Sequence, residues 1–107
     1  MEEKEKQIQE IQILEQNLQN ILLQKQSFQI EFSEADAALN ELEKSKDDVF
    51  KIIGQLMIKT EKEKVKKELL EKKALLELRL SSIEKKEESL VERSNSLRKE
   101  ILEQQNK

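Results

Sequence analysis

The feature that most constrains this chain is a run of apolar residues at alternating spacings of three and four. Ile11, Leu14, Leu18, Ile21, Lys25, Phe28, Phe32, Ala35, Leu39 and Leu42 follow one another at 3-4-3-4-3-4-3-4-3, and only Lys25 is polar. That period is the a/d seam of a coiled-coil helix. A second run, Leu69, Lys73, Leu76, Leu80, Ile83, Glu87, Leu90, Ser94, Leu97 and Ile101, is spaced 4-3-4-3-4-3-4-3-4. Its d positions are all apolar, whereas Lys73, Glu87 and Ser94 weaken its a positions. Val65, Leu70, Leu75, Leu78, Val91 and Leu102 lie beside this seam and widen the apolar stripe. The first helix alone would extend about 65 Å at 1.5 Å per residue.

The composition agrees with two long helices and excludes most other folds. Ala, Glu, Lys, Leu and Arg make up more than half of the 107 residues; there is one Gly, no Pro, and three aromatic residues, all Phe. Such a composition marks long helices, and the shortage of aromatics leaves too little bulk for a conventional globular core. A chain of this length allows at most one domain.

Between the seams the period changes. VFKII (Val49 to Ile53), Gly54-Gln55 and LMIKT (Leu56 to Thr60) form two short runs rich in β-branched residues around the only Gly. Two such runs joined by Gly-X predict a β-hairpin with a type II′ turn, Gly taking the first central position; a buried helix segment is the alternative, which Gly54 and the β-branched residues disfavour. Ile53 then faces Leu56, Ile52 faces Met57 and Phe50 faces Lys59. The expected division is helix 1 over 1–46, hairpin over 47–60 and helix 2 over 61–107. A reversal at Gly54 makes the helices antiparallel, in a register where paired residue numbers sum to 108. Leu39 meets Leu69, Phe32 meets Leu76, Phe28 meets Leu80 and Leu18 meets Leu90. Lys25 and Glu87 fall one layer apart, close enough for each to offset the other's burial.

Two parts of this fold are left without partners. A lone hairpin is marginal in water, and both of its faces are apolar: Phe50, Ile52 and Met57 on one, Val49, Ile53, Leu56 and Ile58 on the other. The sequence therefore implies an oligomer in which hairpins from several chains share a β-sheet or barrel. At the far end Ile8, Ile11, Ile13 and Leu14 lie opposite Ser94, Leu97, Ile101 and Leu102. This tip is expected to fray and to show apolar side chains, a common mark of a binding surface.

The residues argue against catalysis. With no Cys and no His there is no thiolate nucleophile, no disulfide and no imidazole base or ligand. Asp47-Asp48 and Glu87-Glu88 read as a helix boundary and a solvated surface, with no cleft to tune them. Lys59, Lys62, Lys64, Lys66 and Lys67 are interleaved with Glu61, Glu63 and Glu68, so they read as a solvated face, and a net charge of −3 argues against nucleic-acid binding. No run is apolar enough to span a bilayer, and the charged N-terminus is unlike a signal peptide. The reading is of a soluble, intracellular, non-enzymatic protein without cofactors or metals.

The stretch VFKIIGQLMIKTEKEKV, from Val49 to Val65, resembles the V-Y-K-x-x-G-x-x-x-V-K segment of the prefoldin family's β-class subunits, with Val49, Lys51, Gly54 and Lys59 in place. Gln24-Lys25-Gln26 and Leu76-Glu77-Leu78-Arg79 are similar too. Phe50 stands where the family usually has Tyr, and the usual Pro-containing lead before the first helix is absent. The resemblance implies a mainly α subunit, one antiparallel two-helix coiled coil whose hairpin joins a multi-subunit β-barrel. It implies an ATP-independent cytoplasmic chaperone, a hetero-hexamer of two α-class and four β-class subunits. This chaperone holds non-native proteins at its coiled-coil tips and passes them to a group II chaperonin. Carried onto this chain, Val49, Phe50, Ile52, Ile53, Gly54, Leu56, Met57 and Ile58 are the assembly residues. Ile8, Ile11, Ile13, Leu14, Leu97, Ile101 and Leu102 are the client-binding candidates, with Ile11, Leu14, Leu97 and Ile101 equally readable as ordinary seam positions, and Arg98, Lys99, Glu100 and Lys107 are candidates for touching the chaperonin. Ile13 and Leu22-Leu23 are alternatively contacts between subunits. A structural filament or tether without chaperone activity is the alternative reading, but it would need neither the hairpin nor Gly54.

Overall fold

The structure, a computed structural model, describes residues 2–105. The element order is α1 (Glu2–Lys44), β1 (Val49–Ile53), β2 (Leu56–Thr60) and α2 (Lys62–Gln105). Positions 1, 106 and 107 of the expected helices lie outside the described residues. The chain divides into two compact units, a terminal unit of Met1–Ser27 with Leu80–Lys107 and a hairpin unit of Phe28–Arg79.

The seam reading holds at every position. All twenty a and d residues are buried or half-buried, whereas Leu22, Leu23, Leu70, Leu75, Leu78 and Val91 beside them are exposed. In the hairpin unit Ala35, Leu39, Leu42 and Leu76 form the core; in the terminal unit Leu14, Ile83, Ser94 and Leu97 do. The helices are antiparallel within each unit. In the hairpin unit Lys73 Nζ lies 2.8 Å from Asp36 and Lys66 Nζ 3.7 Å from Glu43, one above the expected sum of 108. Arg79 over the Phe28 ring and the bond from Lys62 to the Ser45 carbonyl lie one below it. In the terminal unit Lys25 and Glu87 pair at 3.4 Å, so each charge at the seam has the partner its partial burial requires.

Lys73 is accommodated differently. Its ammonium bonds Asp36 and sits 5.1 Å from the centre of the Phe32 ring. An ion pair and a cation–π contact thus hold a cation at a seam position, the ring contact adding roughly 0.5–1 kcal/mol.

Helix α1 ends at Lys44, two residues before the expected boundary. Ser45 N–H still donates to Glu41 O at 3.0 Å, but the next bond is Asp47 N–H to Ser45 Oγ at 3.3 Å. The hydroxyl offers the backbone a local turn in place of another helical bond, and Lys62 Nζ donates to the Ser45 carbonyl at 3.2 Å. The hairpin register is Val49↔Thr60, Phe50↔Lys59, Lys51↔Ile58, Ile52↔Met57 and Ile53↔Leu56, as expected. Gly54 has φ of +60°, and among the described residues no non-glycine residue has positive φ. A single left-handed residue at the first central position is the type II′ geometry.

Candidate assembly surface and tip groove

The hairpin is a two-stranded sheet, so both of its strands are edges. Alternation puts Phe50, Ile52 and Met57 on one face and Val49, Ile53, Leu56 and Ile58 on the other, as their cross-strand pairs require. Val49 is half-covered. The other six are exposed, Ile52 at 70% and Met57 at 67% of their full surface. Gly54 leaves open space where a side chain would stand. Six exposed apolar side chains thus lie within two five-residue strands whose outer edges have no neighbouring strand among the described residues.

One charged tie anchors this sheet to the helix beside it. Lys51 Nζ donates to Glu68 at 2.9 Å. That hydrogen bond and the Lys51 charge hold the Glu68 carboxyl below its ordinary 4.5, with Lys64 adding to the effect. A carboxylate whose pKa is lower folded than unfolded stabilises the fold above the unfolded value, and this is lost as pH falls through the folded value. The tie is therefore complete above about pH 4.5 and opens in more acidic solution. In a Lys51→Gln chain the Glu68 carboxyl titration, followed by carbon NMR, is expected to return upward to its ordinary range. An unmoved titration would show that Lys51 is not the cause.

At the other end the structure sorts the seven tip candidates. Leu14 (8% exposed) and Leu97 (2%) are enclosed in the seam. Ile11 and Ile101 are half-buried; Ile8, Ile13 and Leu102 are exposed. Ile8, Ile11, Ile101 and Leu102, with Gln12 and the Arg98 stem, line a groove of about 410 Å³. Ile13 points elsewhere and is not in it.

Both helices continue to Glu2 and Gln105. Cross-helix polar pairs account for this: Glu10 with Arg93 at 2.9 Å, Glu15 with Arg98, and Gln7 Nε2 donating to Glu100 at 3.0 Å. The seam also continues beyond Ile11 through half-buried Gln7 and Lys4. These two were legible from the same 3-4 spacing, but their polarity hid them from an apolar pattern.

Among the described residues no group of acidic, His or Cys side chains is arranged to hold a metal ion. No helix there is long and apolar enough to cross a membrane.

Comparison with known proteins decides the family. A family model described as "Prefoldin subunit" matches residues 5–107. The chain belongs to the prefoldin subunit family. Among relatives, it is 40% identical over 94 residues to the prefoldin subunit beta of Thermococcus kodakarensis, covering 86% of this chain and 80% of that one. It is 38% identical over 97 residues to the prefoldin subunit beta of Methanothrix thermoacetophila, covering 89% and 81%. The crystal structure of the prefoldin beta subunit from Thermococcus strain KS-1 superposes with a TM-score of 0.85 at 38% identity, over 92% of this chain and 89% of that one. The hairpin and the paired helices described above are thus those of a prefoldin β-class subunit.

Proposed function

We propose that this chain is one subunit of an ATP-independent holdase, a hetero-hexamer of two α-class and four β-class prefoldin subunits, whose arms hold non-native proteins for a group II chaperonin in the cytosol. The observation that carries the reading is the hairpin. A chain that encloses its seam leucines yet exposes Ile52, Ile53, Leu56 and Met57 on both faces of one small sheet has an assembly surface awaiting copies of the same element. A tether or filament of paired helices has no use for such a sheet.

The tip groove supports the holding role. Ile8 and Leu102 line it and Ile13 stands nearby, all three outside the seam and exposed at 42%, 60% and 60%. Apolar surface exposed in the native chain can cover apolar surface exposed in an unfolded one. The site has no catalytic group and needs none, because holding is reversible burial. Arg98 and Glu100 are engaged with Glu15 and Gln7, leaving Lys99 the freer candidate for the chaperonin; Lys107 lies outside the described residues.

Two measurements test this. The complex purified with its partner chains is expected to have the mass of six subunits and to suppress aggregation of a denatured client without ATP; a two-chain particle would defeat the reading. Replacing Ile8, Ile13 and Leu102 together by Ser is expected to weaken client binding at least about tenfold without changing the mass, since each loses on the order of 1 kcal/mol of burial. Undiminished holding would remove the tip assignment.

A further inference from the structure

A third feature of the terminal unit is explained by neither the seam nor the tip. On the outward side of α1, Gln9, Gln12, Gln16, Gln19, Leu23 and Gln26 recur at 3-4-3-4-3, and all are exposed. In a chain whose residues are 40% charged, this stripe carries no charge. The equivalent stripe of α2, Lys85, Glu88, Glu92, Asn95 and Lys99 at the same spacing, is charged at four of its five positions. The cross-helix pairs of the terminal unit use Gln7, Glu10, Glu15 and Lys25, and among the described residues none uses these five amides. The stripe is continuous with a groove at each end. Gln12 lines the tip groove, and Gln19, Leu22, Leu23 and Gln26 line a second one of about 320 Å³.

A side-chain amide has the same donor and acceptor as a peptide group. A charged side chain would favour clients of one charge, whereas an amide matches the backbone of any sequence. Unfolded polypeptide is the partner whose backbone N–H and C=O groups are bonded to water rather than to one another. From Gln12 to Leu23 the helix rises about 16 Å, which about five residues of extended chain span.

We propose that the Gln12–Gln26 face of α1 is a track for an extended, uncharged stretch of unfolded polypeptide. Two apolar client side chains about five residues apart seat in the two grooves, and the glutamine amides pair with the peptide groups between them. This rests on the holdase reading and adds to it a reason for tolerance of client sequence.

The test uses the complex as purified with its partner chains. The probe is a fluorescein-labelled peptide of Ser, Thr and Asn with Leu at its fourth and ninth positions. The comparison is the same peptide N-methylated at the four residues between the leucines, which removes their donors. By fluorescence anisotropy the parent complex is expected to bind the methylated peptide about tenfold more weakly, as two or three lost hydrogen bonds imply. Gln16→Ala with Gln19→Ala is expected to remove most of that preference. Gln16→Glu with Gln19→Glu, nearly isosteric, keeps the acceptors that the peptide N–H groups donate to and is expected to keep the preference. No binding, equal binding of the two peptides by the parent, a preference unchanged in the alanine variant, or one lost in the glutamate variant would overturn the track. A change of particle mass in either variant would do so too, assigning the stripe to a subunit contact. A parent that suppresses aggregation yet shows no preference loses only the track; one that suppresses nothing loses the holdase reading itself.

Discussion

Replacing Leu76 by Ala is expected to destabilise the chain by about 2–5 kcal/mol, the range for deleting an enclosed leucine side chain. Leu76 is 1% exposed and lies in the core of the hairpin unit with Ala35, Leu39 and Leu42. An enclosed site between two helical backbones has little means of closing the space left. Such a loss is a large part of the stability of any small domain. The comparison is Leu78→Ala, two residues along the same helix and 70% exposed, where the change is expected to stay within about 0.5 kcal/mol. Chemical unfolding followed by helical circular dichroism measures both. Equal effects at the two positions would mean that the seam does not hold the helices together.

The second large effect is on assembly. Ile52 and Met57 face each other across the hairpin and are both exposed in this chain. Changing Ile52→Lys with Met57→Glu puts opposite charges at a cross-strand pair, an arrangement the hairpin itself tolerates. An interface closing over that face must desolvate both groups, at several kcal/mol per ion before their attraction is counted. The variant is expected to keep its helix content and to fall out of the oligomer, giving subunit mass by light scattering. A variant that still co-purifies in a full-sized particle would remove this face of the hairpin from the assembly surface.

The parts of the fold legible in advance are those with a strong period or a strong exception to one. The heptads announce themselves because a seam between two helices can be met only every third and fourth residue. Gly54 announces the turn because its φ of +60° is one that other residues avoid. Lys25 and Glu87 are legible as a pair because both interrupt the seam at nearly facing positions. Lys73 is harder: its partner Asp36 lies beside the seam, and the ring beneath it comes from Phe32. The tip was the least legible part. Whether Leu14 and Leu97 face a client or each helix's partner depends on how far the pairing extends, and it extends through polar Gln7 and Lys4. An apolar period cannot show a seam that continues in polar residues. The end of α1 was missed by two residues because a serine hydroxyl, not a helix-breaking residue, turns the chain there.

The complete covering of the seam has a consequence for how chains of this kind can change length. Every a and d residue of α1 is covered, and so is every one of α2, which is the longer helix by one residue. Seven residues removed from α1 alone would strip the cover from a heptad of α2, and removing two or five would rotate the stripe away from its partner. Lengthening or shortening therefore comes most readily as matched heptads in both helices, each step adding or subtracting about 10 Å; steps of three or four residues are met by local overwinding or unwinding. Insertions of any other size belong at the chain ends or in the four residues between α1 and β1.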